Sequence, residues 1–428
     1  MRGRLNLFQA SMLRWKDLHP YNAVHVIRIE RGLSLPELQR AVDEVLVGFG
    51  LTGLVLDAAR RRFEYRGGRA NAPVRLLPRG PDPAETVRGE IEAQLNAPFA
   101  RDGAIDPFRF FAVDRGGSFD LGLAYDHFIA AGDSIVVLLK AIADRCAGGG
   151  IPAAAPNLAA PTYGGLFLRQ LLPLLVGLRR IPANVGSFRR AFRPRYPRGH
   201  SPAMEFMHFR VAPRGVAALR RTAAGWAVTV NDLLLALLLQ TLSPLTEERR
   251  GQPRRNELAV ASIVNIRGDC GAAAGDAFGQ FLSSFHVSHP VPPGIGLERL
   301  ARDIRETTAG IKREKLYLQT LMAMAFGGLM WRFLTPERRA RFHGKAYPVW
   351  AGMSALHVDA LWQRAPGVSP APEYVRAVPT GPLTPLVVAA TTAAGRIEIG
   401  ISFRTTAFTR GEIDRMAASI LDRVEALC

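Results

Sequence analysis

The sequence predicts a mixed α/β protein in two halves, and three observations carry that expectation. A strand followed by a capped helix occurs twice before residue 150, and the same mixture restarts at Met204. Between them lies a stretch rich in proline, glycine and arginine. A chain of 428 residues is also long for one core, so two units of roughly 200 residues are expected. The boundaries that follow are residues 1–160, a basic crossover linker at 161–203, and residues 204–428.

The segment 22–30 alternates apolar and polar residues like a strand. Ser34 then caps a helix, with Pro36 in its first turn and Glu37 placed three residues on to complete a capping box. Residues 63–66 and 74–77 read as short strands and 84–95 as a helix. Residues 119–125 read as a strand leading into Asp126 and His127, and 135–142 as a buried helix opened by Asp133 or Ser134 as N-cap. His127 is therefore expected at a strand end just ahead of a helix, a junction where an exposed base can be held rigidly.

From about Gly149 to His200 the character changes, with Arg179, Arg180, Arg189, Arg190, Arg193, Arg195 and Arg198 clustered among almost no acids. Within it, residues 166–176 are mostly apolar with basic residues in and after them. They read either as an interfacial helix on a membrane surface or as a crossover helix packed between the halves. The second half restarts with a strand at 204–211. Thr229-Val230-Asn231-Asp232 precedes a run at 233–239 that is apolar on all sides and must be buried. Strands follow at 258–266 and 281–287, helices at 297–311 and 319–333, strands at 385–392 and 396–403, and a terminal helix at 410–427.

Hydrophobic residues make up 48% and charged residues 21% of the chain, a globular composition. The net charge of +18 and the pI near 10.8 predict attraction to polyanions without choosing among nucleic acid, anionic lipid, a phosphorylated cofactor and an acidic carrier protein. Cys146, Cys270 and Cys428 have no paired spacing, so neither a disulfide framework nor a zinc site is indicated, and a reducing, cytoplasmic setting is expected. The apolar stretches at 171–178 and 322–330 fall short of the roughly 20 residues a membrane helix needs. No phosphate loop, G-x-S-x-G elbow, H-E-x-x-H helix or spaced cysteine set appears. Gly148-Gly149-Gly150 follows a helix and leads into Pro152, and so reads as a helix-ending linker. Nucleic-acid binding is not expected, because the arginines concentrate in a linker rather than on a recognisable module.

The string Asp126-His127-Phe128-Ile129-Ala130-Ala131-Gly132-Asp133-Ser134 resembles the H-H-x-x-x-D-G-x-S signature of the chloramphenicol acetyltransferase-like superfamily. That superfamily includes peptide-synthetase condensation domains and wax ester synthase and diacylglycerol acyltransferases. Asn96-Ala97-Pro98-Phe99 and the run 105–113 look like the lead into that signature. Val230-Asn231-Asp232-Leu233-Leu234-Leu235-Ala236 is similar to the "V-N-D-V-V-L-A" helix start, and Ile263-Val264-Asn265-Ile266-Arg267 to a "P-V-S-V-R" strand. Phe278-Gly279-Gln280-Phe281 resembles the condensation-domain "G-x-F-V-N-T" element. These landmarks span most of the chain in the family's order.

The resemblance implies two chloramphenicol acetyltransferase-like subdomains, each a mixed sheet packed with helices, forming a pseudo-dimer with a central tunnel. It implies an acyltransferase moving an acyl group from a carrier-protein or CoA thioester to a hydroxyl or amine acceptor, with His127 as general base and no covalent acyl-enzyme. Imidazole suits that task because its ordinary pKa leaves much of it neutral at working pH. No cofactor is bound permanently and no metal is implied; acyl-CoA or a phosphopantetheinyl acyl carrier protein would be the co-substrate. The basic surface suits an acidic carrier protein or the phosphates of CoA. A monomer is expected, in the cytoplasm or peripheral to the inner face of the membrane.

Three departures qualify the match. The first histidine is Asp126, as in the D-H-R-x-x-D-G of dihydrolipoyl acyltransferases. The family's aspartate, which pairs with a distant arginine to hold the histidine loop, is Ala131 here, and the matched arginine is Arg267. An unmatched buried charge costs roughly 3–5 kcal/mol, so Arg267 is expected to find another carboxylate. Asp126 is favoured for it, with Asp133 serving as helix cap; Gly132 keeps its place in the motif. The third departure is Met353-Ser354-Ala355-Leu356, where relatives read S-N-x-G: Ser354 is either an oxyanion donor or a plain strand-end serine. Asn231, Asp232, Phe278, Gly279 and Phe281 are assigned to the tunnel, as cap and wall residues. The alternative function is a catalytically silent condensation-like protein that binds an acyl carrier protein or partner enzyme, with Ala131 as its signature.

Overall fold

The computed structural model describes residues 1–150, 156–158, 163–194, 203–249, 254–271, 277–335, 337–339, 347–362, 371–381 and 384–428. The chain opens with β1 (Arg2–Arg4) and α1 (Leu7–Trp15). Asn6 caps α1 by accepting from the Gln9 amide, and Gln9 returns a bond to the Asn6 amide. This helix of 9 residues is too short for its periodicity to announce it. There follow β2 (Asn22–Ile29), α2 (Leu35–Gly48), β3 (Leu54–Asp57), β4 (Arg62–Tyr65), β5 (Val74–Leu76) and α3 (Pro83–Asn96). The expected box of Ser34 and Glu37 opens α2. The first half ends with β6 (Gly103–Ile105), β7 (Phe108–Asp114), β8 (Phe119–Asp126) and α4 (Gly132–Cys146).

Three helices occupy the linker: α5 (Gly164–Arg169), α6 (Leu171–Arg179) and α7 (Ile181–Arg190). The second half comprises β9 (Met204–Val211), α8 (Pro213–Gly225), α9 (Val230–Leu242), β10 (Leu258–Asn265), β11 (Leu282–His289), α10 (Leu297–Arg313) and α11 (Leu318–Met330). It continues through β12 (Ala351–His357), β13 (Tyr374–Ala377), β14 (Leu386–Ala393) and β15 (Arg396–Arg404) to a terminal helix (Arg410–Glu425).

The first large sheet has the order β13-β2-β8-β7-β5, with only β5 and β7 running parallel. Every residue of β8 is buried, because both faces of the sheet are covered. On one face Val87, Ile91 and Leu95 of α3 meet Val24, Val26, Phe111 and Ala124. On the other, Ile135, Leu138, Leu139 and Ile142 of α4 join the core of Ala23, Ile27, Leu121 and Leu123. The second large sheet has the order β11-β10-β12-β14-β15-β9, parallel where β12 meets β10 and β14. Its covering helix α9 is buried nearly throughout, as its unbroken leucine run requires. A small sheet, β1-β4-β3-β6, lies beside them.

The two large sheets are joined by exchange. β13, from residues 204–428, pairs antiparallel with β2 and completes the sheet of the first half. In return α3 meets β9: the Met204 amide donates to Asn96 Oδ1 and the Phe206 amide to Glu92 Oε1, both at 2.9 Å. Four isolated residues are too few to register as a periodic strand, so β13 has no sequence signature.

The linker helices do not bury their apolar side chains between the sheets. Leu168 is 81% and Leu172 76% exposed, and Leu171, Leu175, Val176 and Leu178 are exposed as well. Among the described residues Leu166 and Leu174 are buried, and Phe167 and Phe188 pack against the core half-buried. On α11, which packs against α6, Phe326 and Leu329 are exposed too, as is Phe333 just beyond it. No single described helix is long and apolar enough to cross a membrane.

Gly400 marks the seam between the sheets: a Cβ there would lie 2.1 Å from the Arg376 carbonyl oxygen on β13. Gly400→Ala is expected to destabilise the protein by about 1–3 kcal/mol through overpacking. Gly89→Ala, in α3 with nothing within 4 Å of the added methyl, should stabilise it by about 0.5–1 kcal/mol. Urea denaturation of both variants checks this; equal effects would mean that the seam has room to spare.

Candidate active site

A cavity of about 130 Å³ lies between the two halves. From the first half its wall takes Phe8, Met12, Tyr21, His25, Tyr125, His127 and the turn Ala131-Gly132-Asp133. From the second it takes residues of β10, β11, β12 and β14, together with Arg376 at the middle of β13. His127 stands at the end of β8, but it is buried, only 7% exposed, rather than presented on the surface.

The loop around His127 is held by its backbone. The His127 amide donates to Tyr21 O at 3.0 Å. Gln280 spends both amide protons on this loop, donating to His127 O and, at 2.7 Å, to Ala130 O. It has none left for His127 Nδ1, which lies 3.4 Å away. The ring itself also bonds the Ala130 backbone. Among the described residues no side chain hydrogen-bonds Nε2. Tyr21 and Tyr125 flank the ring, with centroids 5.6 and 5.7 Å away. Burial, aided by the positive charge of Arg376, pushes the imidazole down to about 3, so it is neutral across the physiological range.

Arg267 has found a carboxylate, and it is Asp133 rather than the favoured Asp126. Asp133 Oδ2 accepts from Arg267 Nε at 3.0 Å, from Nη2 at 2.9 Å and from Asn265 Nδ2 at 2.9 Å. Asp133 is not the N-cap of α4: the helix begins at Gly132 and its N-cap is Ala131, so only Asp133 Oδ1 serves the first turn, by accepting the Ser134 amide at 2.8 Å, and Oδ2 is left for Arg267. The guanidinium also reaches Ser134 Oγ at 3.2 Å and stacks 4.4 Å from the Phe281 ring. Asp126 is fully buried and bonded to Lys16 Nζ, which also donates to Ala100 O at 3.1 Å. Burial pushes the Asp126 carboxyl up to about 6 against the pull of Lys16.

The remaining expected residues divide between cavity and support. Gly132 and Ser354 line the cavity, and Ser354 Oγ lies 3.5 Å from Arg376 Nη1. Gly279 sits behind it, accepting from the Ala131 amide at 3.0 Å and donating to Ser134 Oγ at 3.2 Å. Phe281 packs under Arg267, and Phe278 lines a separate small pocket with Gln9 and Phe128. Neither Asn231 nor Asp232 reaches the cavity. Asp232 closes a capping box with Thr229 and accepts from Thr308 Oγ1 at 2.7 Å, which stabilises the start of α9. The structure also adds side chains to the site: Lys16, Tyr21, His25, Gln280 and Arg376. His25 lies between two phenols, 2.7 Å from Tyr374 Oη and 3.3 Å from Tyr125 Oη, and burial holds it well below the usual imidazole range.

No protein-family model and no curated protein matches the sequence. Solved structures do match along its full length. The first condensation domain of the CDA synthetase aligns with a TM-score of 0.68 at 16% identity, over 100% of this chain and 96% of that one. The condensation domain from the Monacolin K polyketide synthase MokA gives 0.63 at 13% identity, over 100% and 97%. The EpoB cyclization-docking bidomain from Sorangium cellulosum gives 0.68 at 11%, over 100% and 85%. At such identities the likeness shows the fold: this chain has the two-subdomain fold of condensation domains.

Two outcomes follow from this geometry. Asp133→Ala leaves Arg267 without its carboxylate and should cost about 3 kcal/mol, measured by urea denaturation. The second concerns pH. Unfolded, His127 takes up a proton near 6.5; folded, it does so only near 3. Between those values the unfolded chain binds more protons, so the stability contributed is full above 6.5 and is lost as pH falls toward 3. Below pH 6.5 the wild-type Tm should therefore fall more steeply than that of His127→Gln. Parallel Tm curves would contradict a neutral, buried His127.

Proposed function

We propose that this chain is an acyltransferase that moves an acyl group from a carrier-protein or CoA thioester to a hydroxyl or amine acceptor, with His127 as general base. The observation that carries this reading is a neutral imidazole, with no described side chain bonded to its Nε2, in the cavity between the halves, on a loop held by Gln280 and by the Asp133–Arg267 pair. Nε2 takes the proton from the acceptor as its oxygen or nitrogen attacks the thioester carbonyl. The tetrahedral intermediate collapses, the C–S bond breaks, and the imidazolium returns the proton to the leaving thiolate. An imidazole so far below its ordinary pKa holds that proton weakly, which favours the return step. Ser354 Oγ, on the opposite wall, is the candidate donor to the oxyanion.

Turnover of a panel of acyl-CoA and acyl-carrier thioesters, with alcohol and amine acceptors, tests this directly. His127→Ala is expected to lower the rate by about 10²–10⁴-fold with little change in fold. Activity surviving that substitution would remove His127 from the chemistry. Salt-sensitive binding of an acyl carrier protein without turnover of any thioester would favour the silent, carrier-binding alternative.

The charge of +18 supports an acidic donor, either a carrier protein or the phosphates of CoA. The exposed leucines of α5 and α6 and the exposed Phe326 and Phe333 support a peripheral contact with an anionic bilayer, because arginines flank them at Arg169, Arg179 and Arg180. Sedimentation with vesicles tests this contact. Binding should require phosphatidylglycerol in the phosphatidylcholine and should be lost in the double variant Leu168→Asp/Leu172→Asp. Undiminished binding by that variant would place the contact elsewhere.

A further inference from the structure

Arg376 is a buried cation that the chemistry above leaves unused. It is 3% exposed and lines the cavity. Its Nε donates to Thr391 Oγ1 at 2.8 Å, and Nη2 donates to the carbonyls of Ser354 at 2.7 Å and Ala390 at 3.3 Å. Nη1 has only the Ser354 hydroxyl, at 3.5 Å. All these partners are neutral, and no described carboxylate lies within ion-pairing distance of the guanidinium. The carboxylate on the cavity wall, Asp133, is already matched by Arg267. Although burial lowers its pKa to about 10, Arg376 is charged at neutral pH. A charge in such a place normally has a counterion, because taking it out of water alone is expensive.

The free edge of that guanidinium faces a second source of positive potential. A Cβ on Gly132 would lie 3.3 Å from Arg376 Nη1, so the guanidinium sits over the first turn of α4. α4 has 15 residues and an N-cap, Ala131, without a capping side chain; Asp133 Oδ1 takes the Ser134 amide at 2.8 Å, and the amides of Gly132 and Asp133 donate to no described residue. We propose that Arg376 and the open start of α4 form a subsite for a substrate carboxylate, so that the cavity selects an acid. The proposal rests on the acyl-transfer reading only for what the acid is: the distal carboxylate of a dicarboxylic acyl group or the carboxylate of the acceptor. The shared chemistry is one carboxylate accepting from Nη1 and from the amides of the helix start.

Binding measured without turnover tests the subsite independently of the mechanism. In His127→Ala protein, calorimetry with succinyl-N-acetylcysteamine against its butyryl counterpart probes the donor. Phenylalanine against phenylalaninamide probes the acceptor. One pair is expected to show preference for the carboxylate, and that pair identifies its source. Arg376→Gln should remove the preference, weakening the acid about tenfold or more, as expected for one charged hydrogen bond. Arg376→Lys should restore part of it. Equal binding of acid and neutral partner in both pairs overturns the proposal, whatever the fate of the variants. So does an acid preference that persists in a folded Arg376→Gln protein.

Discussion

The ion pair of Asp133 and Arg267 is the interaction on which the site depends. It joins the turn that opens α4, in the first half, to the loop after β10, in the second. The histidine loop is one wall of the cavity and β10, β11 and β12 are the other, so the pair fixes the width of the cavity. Moving the carboxylate from position 131 to 133 is tolerated because arginine has reach and several donors. Nε and Nη2 converge on Oδ2, while Oδ1 accepts from the Ser134 amide at 2.8 Å. What position 131 loses as a carboxylate it retains as backbone, through its amide bond to Gly279.

A second buried pair supports the first. Lys16 and Asp126 lie under the loop and tie the end of α1 to the end of β8. Phe8 and Met12 of α1 form part of the cavity wall, so this pair positions a surface as well as two charges. Asp126 is thereby unavailable to orient the adjacent imidazole, which bonds the Ala130 backbone, while Gln280 holds the loop's carbonyls. The site places neutral groups next to His127 and confines its carboxylates to structural pairs.

Much of the fold was legible in the sequence, and the reasons for the exceptions are physical. β2, β8, α2 and α9 carry alternation, caps or unbroken apolar runs, signals that local side chains create by themselves. β13 has 4 residues and exists only because β2 offers an edge to pair with, so no local pattern could announce it. At the site, the motif placed His127 and Gly132 at the cavity. Which aspartate meets Arg267 depends on where α4 begins, and that is decided by an uncapped turn around Ala131 rather than by the capping preference of Asp133. Asn231 and Asp232 show the reverse: their motif is real, but its work is to cap α9 far from the cavity wall. Gln280 and Arg376 are single polar residues whose burial is set by strands distant in sequence, and composition alone cannot distinguish them from surface residues.

The two unusual features of the cavity bear on each other. His127 is held low first by burial and then by the charge of Arg376. Of these, burial is a fixed property of the folded chain, whereas the charge of Arg376 is felt in full only while it lacks a counterion. On the proposed reading, a carboxylate seated at Arg376 would cancel that second influence and raise the basicity of the imidazole. The empty cavity would then keep the imidazole unprotonated, and the occupied one would strengthen it toward the proton that the proposed reaction asks it to accept. Coulomb interactions in a water-poor cavity are large enough for a single charge to matter in this way, and the same cation that selects the substrate would tune the base that acts on it.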